Sequence, residues 1–189
     1  MIGEPRRILA ECASTNDEAA AWARQGAPEG AVVIADAQTR GRGRQGRSWH
    51  SPPGAALYFS TVLRPKLPLP KLPPLTLAVG VALAETVTAL GVPARLKWPN
   101  DVLVEGKKLA GILTESATQG GRLEHVIVGI GVNLSVEEFP QGVNAISLHE
   151  FCDISRDEFV SALCERLDAW YRRFLDGEIQ PLYPEAPAA

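Results

Sequence analysis

Residues 102–104, 109–115 and 123–132 are largely apolar runs with the turn sequences Glu105-Gly106-Lys107 and Gly120-Gly121 between them. Turns this short bring the chain back antiparallel to itself, so the three runs must be neighbours in one sheet; with residues 95–98 they read as a strand meander. Upstream, residues 31–35 and 57–63 are continuous β-branched or aromatic runs bounded by turn formers, which is the pattern of strands buried on both faces. Residues 75–90 are apolar on most sides and stop at Gly91 and Pro93, so they read as a helix covered on more than one face. The ten residues 65–74 before it hold five prolines and read as an extended connector.

Two further helices frame these elements. Ser14-Thr15-Asn16-Asp17-Glu18, followed by residues 19–24 and Gly26, reads as a short helix that opens the domain, with a Thr15…Glu18 capping box and a glycine stop. At the other end Phe159, Leu163, Leu167, Trp170 and Phe174 recur at helical spacing after a Ser155…Glu158 capping box, so residues 157–175 read as an amphipathic helix. Strands, helices and strands again, without an internal repeat, indicate an α+β domain built on one mixed β-sheet flanked by helices.

With 46% hydrophobic and 22% charged residues, the 189-residue chain lies in the globular range, which excludes disordered and fibrous classes and sets the expectation of one core. A net charge of −3 argues against a surface devoted wholly to nucleic acid or an anionic membrane. Residues 75–90 are interrupted by Gly80 and Glu85, and the N-terminus lacks an apolar signal segment, so a soluble, unsecreted chain is expected. Cys12, Cys152 and Cys164 lie far apart without paired spacing, which supports neither a disulfide framework nor a zinc site and makes the cytoplasm the simplest compartment.

Chemistry concentrates in the polar stretch 38–54, too long for a tight hairpin and too polar for core. Gly41-Arg42-Gly43-Arg44-Gln45-Gly46-Arg47 contains Gly-x-Gly-x-x-Gly after a strand, yet Trp49-His50-Ser51-Pro52-Pro53-Gly54 cannot continue as a helix, and no acidic residue follows about twenty positions on. The dinucleotide fingerprint is therefore rejected. Arg40, Arg42, Arg44 and Arg47 fit nucleic-acid binding weakly in an acidic chain. They fit a phosphate clamp for a small anionic substrate better, since glycines admit close backbone approach and guanidinium groups donate bidentately. Four like charges repel, so such a loop should stay mobile until an anion neutralises it.

Other clusters have bland readings when taken singly. Lys97-Trp98-Pro99-Asn100-Asp101 can be a turn with a packed tryptophan, and Lys107-Lys108 can be hairpin lysines, although Lys108 begins an apolar strand and could face an anion at a core mouth. Gly129 and Gly131 within a strand mean a bulge or a close contact, Asn133 can be a turn residue, and Ser14, Thr15 and Asn16 can cap a helix. His50, His125 and His149 show no metal-ligand spacing, and neither a nucleophile elbow nor a Walker A sequence occurs.

In order, Ser14-Thr15-Asn16, Gln38 with Gly41 through Trp49, Lys97-Trp98-Pro99-Asn100-Asp101, Lys108-Leu109-Ala110-Gly111-Ile112-Leu113 and Gly129-Ile130-Gly131-Val132-Asn133 resemble the biotin protein ligases over roughly residues 10 to 175. The resemblance implies a fold related to class II aminoacyl-tRNA synthetases. It also implies ATP-dependent conversion of biotin to biotinyl-5′-AMP, with Mg²⁺, and transfer of biotin to a lysine of a biotin carboxyl carrier protein of acetyl-CoA carboxylase or a related enzyme. By that resemblance Ser14, Thr15, Asn16, Gln38, Arg42, Gly43, Arg44 and Lys108 attend biotin, while Arg42, Arg44, Arg47, Trp49, Lys97, Asn100 and Asn133 attend ATP. Arg44, Lys108 and Asp101 are the catalytic candidates, with Asp101 orienting or deprotonating the acceptor lysine, and no metal ligand is assigned.

The resemblance further divides the chain into a catalytic domain, 1–176, and a proline-rich tail, 177–189, where the family's small SH3-like domain would begin. The chain starts almost at the catalytic domain, so a monofunctional enzyme without DNA binding is expected, with no membrane association. Sheet edges and family habit make a homodimer plausible. The rival readings are a lipoate or octanoate ligase or transferase of the same fold, and a biotin- or RNA-binding module without chemistry.

Overall fold

The two glycine turns do what their length requires. In the computed structural model, which describes residues 1–179, the strands are β1 (Arg6–Cys12), β2 (Val32–Gln38), β3 (Ala56–Leu63), β4 (Ala94–Lys97), β5 (Asp101–Val104), β6 (Lys107–Gln119) and β7 (Arg122–Asn133). The helices are α1 (Thr15–Arg24), α2 (Pro74–Thr88) and α3 (Arg156–Leu175). The strands make one sheet in the order β1-β2-β3-β7-β6-β5-β4, in which the β1–β2 pair is parallel and the others antiparallel. The expected mixed sheet is therefore present, with the meander forming one half of it. Of the proline-rich tail, residues 180–189 lie outside the described residues.

Helices cover the sheet unequally, and this decides where a site can form. On one face α2 and α3 bury Leu75, Leu83, Phe159, Leu163 and Leu167 against Leu57, Phe59, Val126, Val128, Ile130 and Val132. On the other, α1 covers only Val33, Val62 and Ile127 through Ala19 and Ala23. Every residue of β3 is buried, as its continuous apolar run requires, with odd positions turned to the α2–α3 layer and even ones to the α1 side. Beyond the first residues of α1 the sheet is not packed by a helix, and the polar loops close over it. No helix among the described residues is long and apolar enough to cross a membrane.

Two expectations about the N-terminal region are corrected. A strand, not a helix, opens the domain: β1 pairs in parallel with β2 from Arg6↔Val32 to Cys12↔Gln38. Its sequence hides this because an edge strand with solvent on one side needs no apolar alternation, and Ile8 is left exposed. The Thr15…Glu18 capping box does not form either. Ser14 occupies the cap position with no side-chain bond, and Thr15 turns its hydroxyl to Gln38 Oε1 at 3.2 Å and to Ser60 Oγ at 2.8 Å. The Ser155…Glu158 box does form: Glu158 N–H donates to Ser155 Oγ at 3.3 Å, and the Ser155 N–H donates to Glu158 Oε2 at 3.0 Å.

Phe159 sits fully buried one position after that box, at the head of the α3 stripe. Phe159→Ala removes its ring from the junction of sheet and helices. It should lower the unfolding free energy by about 3–5 kcal/mol, read as a shift of the urea midpoint without a change in slope.

Candidate active site

The site is built on an absence of side chains. Gly111 of β6 pairs with Gly131 of β7, and Gly129 lies two residues further along, all on the face away from α2 and α3. A Cβ at Gly129 would stand 2.2 Å from Asn16 Oδ1, and one at Gly131 would stand 2.6 Å from the Trp49 indole. Of the two readings for these strand glycines, the close contact is the one realised. The β6–β7 register runs unbroken from Ala110↔Val132 to Ala117↔His125.

Over this floor, the start of α1 brings Ser14, Thr15 and Asn16, each at most 4% exposed. Burying amide and hydroxyl groups is costly unless they are bonded, and Thr15 and Asn16 find partners on neighbouring strands and loops. Gln38 Oε1 accepts from the Thr15 N–H at 2.8 Å, Gln38 Nε2 donates to Ser51 Oγ at 3.2 Å, and Asn16 Nδ2 donates to Glu115 Oε2 at 2.6 Å. Ser60, buried in the middle of β3, lies 2.6 Å from Asn16 Oδ1.

Lys108 reaches the same floor through a bulge. Val102 pairs with Ala110 but Leu103 pairs with Lys108, so Leu109 is an extra residue in β6. In a regular strand Lys108 would share the face of Ala110 and point at the α2–α3 core. The bulge lets Leu109 take that side and turns Lys108 over. Its Nζ then lies 2.8 Å from Asp101 Oδ1 and 5.1 Å from the Trp49 ring centroid. Trp49 Nε1 is buried without a hydrogen-bond partner.

The arginine-glycine segment folds as a small hairpin rather than a helix, consistent with rejecting the dinucleotide fingerprint. Gly43 N–H donates to Arg47 O at 2.7 Å, Trp49 N–H to Gly41 O at 2.9 Å, and the tip turns at Gln45 and Gly46, both at positive φ. Its stem is tied down even without an anion. Arg42 Nη1 meets Asp17 Oδ2 at 2.7 Å and Nη2 meets Glu115 Oε2 at 3.2 Å, and the Asp17 bond above all pushes the guanidinium pKa further up. The expected repulsion among the arginines is thus relieved at Arg42 by two carboxylates. Arg44 Nη1 donates to the neutral Asn100 Oδ1 at 3.2 Å.

Two adjoining cavities result. One, of about 110 Å³, is lined by Ser14, Thr15, Asn16, Gln38, Arg42, Gly43, Arg44, Arg47, Trp49, Asn100, Asp101 and Lys108. The other, of about 580 Å³, shares Gln38, Trp49 and Lys108 and adds Asn133, Phe139, Pro140 and Val143. Asn133 donates both amide hydrogens to the carbonyls of Lys108 and Ile146, at 3.2 Å each, leaving its carbonyl oxygen as the group available to a ligand. Lys97 lies exposed on edge strand β4 beside an exposed Trp98 and lines neither cavity.

Sequence reasoning missed Ser60, Glu115, Ser51 and Tyr58, whose hydroxyl donates to Pro52 O at 2.8 Å and whose pKa burial pushes up. A serine inside a wholly buried apolar strand was the one available signal. Asp101 is the only carboxylate lining either cavity among the described residues, so the paired space is strongly cationic. It is a receptacle for anions with one polar, buried end. Cys12 carries no thiolate chemistry here, since burial and then Glu18, Asp17 and Glu11 raise its pKa to about 11.

Close packing of Trp49 on the glycine floor has a measurable consequence. Gly131→Ala should cost about 1–3 kcal/mol of stability, and in a Trp49→Ala background the same change should cost markedly less. Denaturation of the four chains of that cycle reads the coupling directly.

The sequence model of the biotin/lipoate A/B protein ligase family matches residues 10–133. A bifunctional ligase/repressor from Bacillus subtilis is 44% identical over 137 residues, covering 71% of this chain and 42% of that protein. A biotin–[acetyl-CoA-carboxylase] ligase from Mycobacterium tuberculosis is 37% identical over 170 residues, covering 86% and 62%. The chain spans about half the length of the curated relatives it matches. Among solved structures, the biotin protein ligase of Aquifex aeolicus in complex with biotin and ATP superposes with a TM-score of 0.81 at 31% identity, over 95% of this chain and 75% of that one. The glycine floor, the buried polar quartet and the cationic loop thus sit on a shared fold, and the chain belongs to the biotin/lipoate A/B protein ligase family.

Proposed function

We propose that the chain joins biotin to ATP to give biotinyl-5′-AMP and pyrophosphate, and then passes biotin to a lysine of a biotin carboxyl carrier protein, in the cytoplasm. The observation that carries this reading is the buried polar end of the cavity. Thr15, Asn16 and Ser60 are almost wholly buried, which suits a ligand head rich in hydrogen-bond donors and acceptors, as a ureido ring is, and not an apolar dithiolane. The matched relatives support it, since those from Mycobacterium tuberculosis and Paracoccus denitrificans bear the name biotin–[acetyl-CoA-carboxylase] ligase.

In the first step a biotin carboxylate oxygen bonds to the α-phosphorus, and the bond from that phosphorus to the bridging oxygen of pyrophosphate breaks. Two anions must approach, so the work falls to fixed cations and alignment. Lys108, at the meeting of the two cavities, serves the carboxylate and α-phosphate oxygens, and Arg44 and Arg47 serve the polyphosphate. The apolar wall of Trp49, Phe139, Pro140 and Val143 accommodates adenine, with Asn133 beside it. The described residues hold no cluster of three His, Cys, Asp or Glu side chains, and Asp101 is committed to Lys108. A nucleotide-borne Mg²⁺, held mainly by phosphate oxygens and water, would need no such cluster from the described residues.

In the second step the acceptor amine attacks the acyl carbon, an amide forms and AMP leaves. A lysine amine with pKa ~10.4 is mostly protonated at neutral pH, so a group must take its proton. This reading gives that role to Asp101, the carboxylate paired with Lys108, once bound anions draw the lysine away. Loop closure meanwhile keeps water from the mixed anhydride.

Pyrophosphate release with ATP and Mg²⁺, followed by mass analysis of an added carrier domain, tests the reading. Biotin-dependent release with a biotin-sized mass gain is expected; release with lipoate alone would reassign the substrate, and none with either would remove the enzymatic reading. Arg44→Gly should leave the fold intact but let the adenylate escape, so that bystander lysines become biotinylated. Undiminished adenylate retention in that variant would refute the clamp.

A further inference from the structure

Among the described residues, Glu115 is the one side chain bonded both to the buried polar end of the cavity and to the arginine loop. We infer that Glu115 is a positioning residue that couples the seating of biotin at Asn16 to the placement of the loop at Arg42. The inference rests on the biotin reading and adds to it a residue that does not line the polar cavity.

Its geometry is specific. Oε2 accepts from Asn16 Nδ2 at 2.6 Å, and both carboxylate oxygens lie 3.2 Å from Arg42 Nη2. An ionised carboxylate only accepts, so it draws the Asn16 NH₂ to itself and fixes the amide with Oδ1 toward Ser60. Ser60 Oγ lies 2.6 Å from that oxygen and 2.8 Å from Thr15 Oγ1, and its single proton goes to the amide oxygen, which cannot donate. One charge thus sets the direction of hydrogen bonding across the pocket that would hold the ligand head. The same charge holds the stem of the loop, shared with Asp17 at 2.7 Å from Arg42 Nη1. Asp17 is bonded to Arg42 and not to Asn16, so the two carboxylates differ: Asp17 only ties the loop, whereas Glu115 ties the loop and orders the pocket.

Arg42 and Glu115 are each more than a third exposed, so their ion pair alone is weak and salt-screened. The stronger half of the coupling is the charge-assisted bond to the buried Asn16.

The test compares wild type, Glu115→Gln and Asp17→Asn by calorimetric titration with biotin in the absence of ATP, and by mass-spectrometric timing of tryptic cleavage after Arg44 and Arg47. Glu115→Gln keeps the shape but offers Asn16 a neutral amide that can present either end. Biotin affinity should fall about tenfold and cleavage should accelerate severalfold, with the melting temperature nearly unchanged. Asp17→Asn should accelerate cleavage while leaving biotin affinity within about twofold. If Glu115→Gln changes only one of the two readouts, or neither, the coupling is refuted. Wild type that fails to bind biotin would overturn the biotin reading, and with it this proposal. Loss of affinity in Glu115→Gln against an intact wild type separates the two questions.

Discussion

Everything at the site depends on one constraint, the bare floor formed where Gly111 and Gly131 face each other across the β6–β7 ladder with Gly129 beside them. The opposite face of the same strands carries Ile112, Val128, Ile130 and Val132, which pack against the helices and fix the sheet. One pair of strands is therefore fully loaded on one side and, at the three glycines, bare on the other. The loaded side anchors the register, and a register slip of one residue would exchange the two faces and destroy both core and site. The empty side lets the head of α1 and the indole of Trp49 come within contact of the backbone, as side chains of ordinary size would forbid.

This arrangement explains why polar groups can be buried so densely there. Ser14, Thr15, Asn16 and Ser60 would each be costly in an apolar interior, yet they stand together, and Ser60 shares hydrogen bonds with Thr15 and Asn16. Part of their bonding capacity is met within the protein and part faces the cavity. The Thr15 hydroxyl illustrates the trade. It gives up a local cap on Glu18, and the helix start keeps only the backbone bond from the Glu18 N–H to Ser14 O, so that the hydroxyl can serve the network with Gln38 and Ser60.

How much of this was legible in the sequence follows from the range of each interaction. The meander and α3 rest on turns of two or three residues and a helical repeat, both local, and both were readable. The motifs that line the cavity were readable as residue types that suit an anion. Strand β1 was not, because an edge strand held by backbone pairing to β2 needs no side-chain pattern. The fate of Thr15 depended on Ser60, 45 residues away. Glu115 gained its role only when the fold set it beside Asn16, 99 residues earlier, and Arg42, 73 residues earlier. For Lys108 the sequence offered an anion-facing position, but the means was hidden, since a regular strand would have aimed it at the core and only the register shift against β5 reveals the bulge.

The distribution of counter-charges shows how such a site handles anionic ligands. Arg42 is balanced by Asp17 and Glu115, and Lys108 by Asp101. Among the described residues Arg44 and Arg47 have no ion-pair partner: Arg44 meets only the neutral Asn100, and Arg47 a backbone carbonyl. An incoming anion gains most from cations that lack a partner, because no existing pair must be broken to reach them. The hairpin tip is therefore where added negative charge is favoured, while the stem stays fixed to the protein. Lys108 is intermediate. Its pairing with Asp101 at 2.8 Å keeps a cation at the cavity mouth from standing alone, so an anion that reaches it must compete with a carboxylate already there. The site therefore holds its cations in three grades: fixed at Arg42, exchangeable at Lys108, and without an ion-pair partner among the described residues at the hairpin tip.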